Sequence, residues 1–548
     1  MPVCCSLTRR QALSWAALVA ATPLLSAVEP SRAAGPTVPM NLELVTLTET
    51  SVVLTWYTGD AGSPDGLGRL APVPADTEVL LGTNPAALTQ VLHDTTPTPY
   101  HYAEIGGLEP GQTYFYVAQS GGVPAAPAMF STGNPVGTSG PSALGAGPFV
   151  FTTPQPPPGR YLFTLALCND LHVGETTAGL ITSSGGGLPP GFSQLPGRPP
   201  YPEVMATALV ADTRARGAHV LLAAGDLTSE AAPADVARAR ELLDGFGTLD
   251  ADWFVARGNH DRPHTGNTWT SCSSTDRGHD CFRDVFYPGQ PGWFTSQVHG
   301  LRLVGLDTYD KAGNGGDNGS LSAAQWDFVT RELARDRDRP TLVLGHHPVP
   351  LESNATSVPP VTFGLDEQQG QRLEALYAGS PGVFLHQSGH THRNKRVSSG
   401  GVVFQEVSAV KEYPGGFSLL RVHEGGYALN FYKTRSGLAR EWSERTRQED
   451  FGGVPYYVFG TVGDRNSVVA RDFSGLAAVP PRPVPGTPVP GSAGHGGHDG
   501  AGGLAATGAG AALPVTAAAL LTAAALGRKR RSVLVPPGYG RLPDMARD

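Results

Sequence analysis

The stretch Trp253-Phe-Val-Ala-Arg-Gly-Asn259-His260-Asp261 decides the reading of this chain. A short apolar run of strand type stops at a glycine, and three polar side chains suited to metal binding follow at once. The same punctuation occurs four more times. Tyr161-Leu-Phe-Thr-Leu-Ala-Leu-Cys168 runs into Asn169-Asp170-Leu-His172, and Val220-Leu-Leu-Ala-Ala-Gly225 into Asp226. Thr341-Leu-Val-Leu-Gly345 runs into His346-His347-Pro348, and Val383-Phe-Leu385 passes through His386-Gln-Ser-Gly389 into His390-Thr-His392. Open α/β sheets bind their ligands just past the carboxyl ends of the strands. Five such ends predict one site assembled from distant segments.

Working outward, 548 residues hold more than one domain. The net charge is −8, 16% of residues are charged, and no Lys/Arg cluster lies in the body of the chain. These features argue against nucleic acid as a partner. The 70 glycines and 49 prolines, over a fifth of the chain, call for many loops and at least one linker without a core. Cys168 reads as a small buried hydrophobe. Cys272 and Cys281, in a polar loop, are a disulfide pair or two free thiols, and export favours the disulfide.

Residues 1–34 read as a signal peptide: Thr8-Arg9-Arg10, an apolar run to Val28, then Ser31-Arg-Ala33-Ala34. The arginine pair resembles a twin-arginine signal, but Ala12 replaces a common phenylalanine, so the ordinary secretory route stays open. Export is expected on either route. Residues 36–154 show strand alternation with turn residues between, as in Ser51-Val-Val-Leu-Thr-Trp56 and Thr113-Tyr-Phe-Tyr-Val117, and predict an antiparallel β-sandwich. This part resembles a fibronectin type III module, with Trp56 as core tryptophan and Leu108-Glu-Pro-Gly-Gln-Thr-Tyr114 as the entry to its corner-tyrosine strand. Leu81-Gly-Thr-Asn-Pro85 is also similar to the amino-terminal domain of purple acid phosphatases. His93 and His101 are expected on the surface.

From 160 to 450 strands alternate with helical segments (Pro202 to Arg216, Pro233 to Gly245, Ser322 to Arg335, Glu367 to Ala378), an α/β pattern. Two long loops, 174–200 and 262–297, are candidate substrate walls; a disordered insertion is an equal reading of the first. Residues 451–477 form a C-terminal extension with β-like runs of uncertain pairing, and 478–503 a Pro/Gly linker. Residues 504–531 comprise Leu504-Ala-Ala-Thr507-Gly508, an apolar run from Ala509 to Leu526 and Arg528-Lys-Arg-Arg531. Eighteen residues span roughly 27 Å, enough for a bilayer. The arrangement resembles a sortase sorting signal, implying sortase and the cell wall as partners. A retained transmembrane anchor is the alternative, and the 532–548 tail departs from the sorting pattern.

The groups past the strand ends are Asp170, His172, Asp226, Asn259, His260, His346, His390 and His392. Imidazole with carboxylate suits zinc, manganese, iron or cobalt. Asp170/His172 and His390/His392 are each two apart, so in extended segments the members of a pair point the same way. The order D-x-H, G-D, G-N-H-D, G-H-H-P, G-H-x-H resembles the full motif series of the calcineurin-like metallophosphoesterases over residues 160 to 433. The flanking Asp307 and Gly319-Ser-Leu-Ser-Ala-Ala-Gln325 are similar too.

Together with the strand pattern of 36–154, that resemblance implies a multidomain fold: an N-terminal antiparallel β-sandwich followed by an α/β metallophosphoesterase β-sandwich flanked by helices. It implies two divalent metal ions, one held by Asp170, His172 and His392, the other by Asn259, His346 and His390, with Asp226 between them. It implies hydrolysis of a phosphate ester by metal-activated hydroxide, with His260 as general acid oriented by Asp261. Arg262 reads as a surface arginine or a phosphate contact, and His347 as a support for the ligands. Purple acid phosphatases carry a metal-binding tyrosine where this chain has Ser229, and lack His172, so no iron–tyrosinate colour is expected. The expected function is an exported, surface-held phosphoesterase acting on a small phosphate ester. Phosphodiesterase or nucleotidase specificity, or a surface adhesion protein with a relic metal domain, are the alternatives.

Overall fold

The computed structural model describes residues 35–65, 69–127, 147–179, 191–262, 280–310, 317–357, 364–447, 449 and 455–480. The leader, the sorting segment, Cys272, His264, His279 and the stretches 180–190 and 263–279 of the two long loops lie outside the described residues.

Two six-stranded sheets form the centre of the molecule. In the first, Tyr161–Cys168, Val220–Ala223 and Trp253–Val255 run parallel at one side. Gly416–His423, Gly426–Lys433 and Asn466–Ala470 continue the sheet antiparallel at the other. In the second, Leu301–Gly305, Thr341–Leu344, Val383–Ser388 and Val402–Glu406 are parallel, with antiparallel strands at both edges. One apolar cluster holds residues of both sheets, among them Leu165, Leu221, Leu342 and Phe384, so the sheets face each other. The parallel strands are buried on both sides, which explains their near-continuous Val/Leu/Ala runs.

Helices cover the outer faces. Tyr201–Ala215 and Pro233–Asp244 bury Met205, Leu209, Val236 and Leu243 against the first sheet. Ala323–Arg335 and Glu367–Ala378 bury Trp326, Val329, Leu373 and Tyr377 against the second. Both of the latter start where a side chain accepts an orphan amide: Ser322 from Gln325 and Asp366 from Gln369. The sheet-and-helix layering agrees with a metallophosphoesterase fold. Residues 455–480, whose pairing the sequence left open, supply the sixth strand of the first sheet and bury Phe473 and Leu476 in its core.

The amino-terminal residues form a four-stranded and a five-stranded antiparallel sheet around a separate apolar cluster containing Leu54, Trp56, Leu81 and Tyr116. His93 is exposed beside Asp76. His101 is not on the surface: it is 1% exposed, stacked on Trp56 at 4.7 Å, with Thr58 and Thr77 hydroxyls at its two ring nitrogens. Partners from other strands make that burial tolerable, and local sequence does not reveal them. These sheets are fused to the two central sheets. Val45 and Val53 belong to the larger core, and Glu43 is buried among Lys433, Arg447 and Tyr413.

Candidate metal centre

All five motif turns leave parallel strands of the two facing sheets at the same edge. Their chain direction is set by unusual backbone. Among the described residues nine non-glycine residues have positive φ, and five of them are Asp170, His172, Asp226, His390 and His392. Left-handed backbone costs about 1–3 kcal/mol per residue and persists only where surroundings over-determine it. The extended pairs expected from the x-spacing are therefore absent. Each of the D-x-H and H-x-H pairs sits in a turn, and it is the left-handed turn that aims both side chains inward. Glycines make room for this. A Cβ on Gly258 would stand 2.0 Å from Asp226 Oδ1, and one on Gly389 would stand 2.7 Å from Asp170 Oδ2.

Each carboxylate has one oxygen anchored and one presented. Asp170 Oδ2 accepts from Asn169 Nδ2 at 2.5 Å and from the His390 amide at 3.1 Å, while Oδ1, which that amide reaches at 3.4 Å, faces His392 Nε2 at 3.6 Å and His172 Nε2 at 4.0 Å. Asp226 Oδ1 accepts from the His260 amide at 2.8 Å, while Oδ2 faces His346 Nε2 at 3.1 Å and His172 Nε2 at 3.6 Å. His346 donates Nδ1–H to the Ala224 carbonyl at 2.7 Å. Its Nε2 then meets Asn259 Oδ1 at 3.0 Å and His390 Nδ1 at 3.2 Å. Three clusters of metal-type side chains result: Asp170/His172/His392, His172/Asp226/His260 and Asp226/His346/His390.

The residues fit divalent ions. Carboxylate, amide and imidazole ligand atoms converge across buried gaps of 3.0 to 4.0 Å, and ligands each about 2.1 Å from one ion stand roughly 3.0–3.4 Å apart. Burial pulls His346 and His392 down, but Asp226 and Glu412, respectively, outweigh it and hold each at about 9. An ion would replace those protons.

Two expectations are corrected here. Asp261 does not orient His260. Its carboxylate accepts from the amides of Leu227, Thr228 and Gly258 and from the Thr228 hydroxyl, tying two motif turns together. The His260 Nδ1–H is donated to the Ser229 carbonyl at 2.8 Å instead. Burial, then the Asp226 charge, pushes the Asp261 carboxyl up to about 6, and burial holds His260 down to about 4. Arg262 is not a surface residue. It is 4% exposed, its Nη1 donating to Tyr309 Oη and Asp317 Oδ1, both at 2.9 Å. His347 lies under the ligands, donating Nε2–H to the Asp317 carbonyl at 2.9 Å and accepting from the Thr308 hydroxyl at 2.7 Å. Asp307 pairs with Arg257, which also binds Asp280 at 2.6 Å and braces the G-N-H-D turn.

The family model for calcineurin-like phosphoesterases matches residues 163–394. This chain carries a calcineurin-like phosphoesterase domain. Such a domain is a hydrolase of phosphate esters and implies a dinuclear divalent metal centre. A probable cyclic nucleotide phosphodiesterase of Synechococcus sp. is 28% identical over 188 residues, 34% of this chain. The chain thus spans 63% of the length of that curated relative. Among solved structures, a dimetal phosphatase from Danio rerio is 15% identical with a TM-score of 0.36, covering 50% of this chain and 98% of that one. A purple acid phosphatase from yellow lupin (Lupinus luteus) seeds is 15% identical with a TM-score of 0.36, covering 84% and 78%.

Around the calcineurin-like motifs stand residues that motif reading missed: Asn169, Glu175, Arg257, Asp317, Lys411 and Glu412. Glu175 Oε2 lies 3.0 Å from His172 Nδ1, and Glu412 accepts from His392 Nδ1. Lys411 Nζ donates to Glu175 at 2.7 Å and stands 3.1 Å from Glu412. The one local signal was Lys411-Glu412 itself, a charged pair closing the small-and-apolar run Val407-Ser-Ala-Val410.

Proposed function

We propose that the protein is an exported dinuclear-metal phosphoesterase that hydrolyses extracellular phosphate esters while held at the cell surface. The observation that carries the enzymatic part is the pair of presented oxygens, Asp170 Oδ1 and Asp226 Oδ2, each facing two histidine Nε2 atoms. Asp170, His172 and His392 would hold one ion and Asn259, His346 and His390 the other, with Asp226 facing both halves. The mixed imidazole and carboxylate donors suit zinc, manganese, iron or cobalt. Bound there, two such ions would supply a hydroxide nucleophile near neutral pH and neutralise charge on the phosphoryl oxygens.

The chain's own residues do the rest. The Ala224 carbonyl fixes the His346 tautomer, and the Asn169 and His390 donors fix the Asp170 rotamer. His260, its ring 4.5 Å from that of His172, keeps Nδ1–H on the Ser229 carbonyl, so Nε2 is the ring atom that would donate to the leaving oxygen. Burial keeps this ring neutral near pH 7; an arriving phosphoryl anion favours its protonated form and so readies it as a donor.

A diester specificity is a second reading, favoured by the Synechococcus relative being described as a probable cyclic nucleotide phosphodiesterase. The fibronectin type III-like reading of 36–154 is supported by the Tyr114 hydroxyl accepting from the Glu109 amide at 2.9 Å, a corner-tyrosine contact, and by the buried Trp56. Export, wall attachment through sortase and the two carboxy-terminal alternatives rest on composition. Among the described residues no helix is long and apolar enough to cross a membrane, and the 509–526 run lies outside them.

The test is the full chain, loaded in turn with zinc, manganese, iron and cobalt, against phosphomonoesters, phosphodiesters, nucleotides and phospholipid head groups. Two ions per chain and turnover of at least one class are expected. Ions without turnover of any ester would favour the adhesion reading, and no bound ion would remove the proposal. The mass of the mature protein checks the processing, with ends expected near residue 35 and at Thr507.

A further inference from the structure

The two halves of the metal centre are backed differently. Behind the second half, His346 leans on a neutral backbone carbonyl, that of Ala224. Behind the first half both histidines meet carboxylates: Glu412 accepts from His392 Nδ1, and Glu175 stands 3.0 Å from His172 Nδ1 in an ion-pair contact without hydrogen-bond alignment. These two glutamates share one buried ammonium, Lys411 Nζ, at 2.7 and 2.8 Å from the Glu175 oxygens and 3.1 Å from Glu412. The Tyr201 hydroxyl also donates to Glu175. Lys411 is fixed by its own backbone, its amide donating to the Asp170 carbonyl at 3.2 Å and its carbonyl accepting from Trp442 Nε1 at 2.8 Å. Two carboxylates and one ammonium leave a net negative charge directly behind two imidazoles.

We propose that Lys411, Glu175 and Glu412 form a positioning clamp that makes the Asp170/His172/His392 half the tighter of the two, so that it loads first. The proposal rests on the metal-centre reading above. A carboxylate at Nδ1 holds the proton on that nitrogen, turns Nε2 to the ion and raises its basicity. The shared ammonium keeps the two carboxylates apart yet charged, so neither ring can rotate without breaking an ion pair. Among the described residues, His346 Nδ1 meets a neutral carbonyl in place of such a charge.

The experiment uses the full chain stripped with chelator and titrated with cobalt(II), followed by calorimetry and by the d–d absorption of the bound ion. The wild type should load in two resolved steps. Asn259→Ala, which removes a ligand of the second half only, should keep one step with the affinity of the first. Glu412→Gln should weaken the first step by about 10–100-fold and leave the second essentially unmoved, with altered intensity of the first-step absorption. Glu412→Asp should recover part of the loss. Should Glu412→Gln fail to fold, Glu175→Gln at the other arm of the clamp is read in the same way. Equal loss in both steps, an unmoved first step, or a wild type whose two steps are indistinguishable would overturn the clamp while sparing the metal centre. A wild type that binds no cobalt removes the metal-centre reading itself.

Discussion

Two clusters of buried charge sit in this molecule, and they solve the same problem in opposite ways. At the seam between the amino-terminal sheets and the catalytic half, Glu43 is surrounded by protein donors. Lys433 Nζ lies at 2.6 Å, the Thr55 hydroxyl at 3.1 Å, and Arg447 and the Tyr413 hydroxyl are in contact as well. At the strand edge, Asp170 and Asp226 each turn one oxygen toward histidine nitrogens across gaps of 3.1 to 4.0 Å, on backbone that is itself left-handed. A buried charge must find a counter-charge. The seam finds it within the chain and is structural. The edge finds only titratable imidazoles, on strained backbone, a donor set that divalent cations would complete.

The sharpest way to break that contrast is Asp226→Asn. At the edge, the substitution removes the negative charge that faces both halves while keeping shape. Turnover should fall by roughly a thousandfold or more, while the protein still folds with a modestly lowered melting temperature, because the pairing of Asp226 with His346 is lost. If Asp226→Asn unfolds the protein instead, the edge is structural, like the seam.

That edge was legible in the sequence for a physical reason. Ligands to a shared ion must sit where strands end, so an apolar run, a glycine and a polar cluster repeat in order, and chain order survives folding. The helices flanking the sheets were legible for a local reason too, their apolar spacing. Orientation was not legible. Asp261 follows His260 in sequence yet bonds Leu227, Thr228 and Gly258, because the turn sends the two side chains to opposite sides. Glu43 was invisible too. Alternation along Leu42-Glu43-Leu44 puts it on the strand's outer face, which would be solvent in an isolated sandwich, but the catalytic half covers that face.

Glu43→Gln examines the other side of the comparison. Removing one partner leaves Lys433 and Arg447 buried without their carboxylate, a loss of about 3–5 kcal/mol in stability, read by denaturant unfolding, with kcat for any accepted ester retained. Its acid dependence has a definite sign. Although burial opposes it, the Arg447 and Lys433 charges hold Glu43 down to about 2 from an ordinary value of 4.5. The folded value is below the unfolded one, so this stabilisation is complete above pH 4.5 and is lost as pH falls toward 2. Wild type and Glu43→Gln should therefore converge in stability over that window. Parallel curves would mean the cluster is not held by charge.

Cation addition measures the edge from the opposite direction. An ion that binds only the folded chain stabilises it by about 2.7 kcal/mol at one hundred times its Kd. Manganese or zinc added to the stripped protein should raise the melting temperature of the wild type, and by less in His390→Ala. The same addition should leave the Glu43→Gln deficit untouched, since the two clusters share no residue. A rescue of the seam variant by metal would show the clusters to be coupled, and the division drawn above would fail.

The smallest effect is expected at Arg262, which belongs to neither extreme. Its Nη1 donates both to the Tyr309 hydroxyl and to Asp317 Oδ1, and Asp317 in turn accepts from Asn259 Nδ2 at 3.4 Å. The arginine therefore acts on the second half of the site at one remove, through a carboxylate that is 35% exposed and able to relax. Arg262→Lys retains the charge but not the planar fork. Loss of one such contact corresponds to about 1 kcal/mol, so kcat/KM should drop less than tenfold, with the deficit appearing as weaker loading of the second ion. If KM alone rises while both ions load normally, Arg262 touches the phosphate directly and the expectation of a phosphate contact is restored.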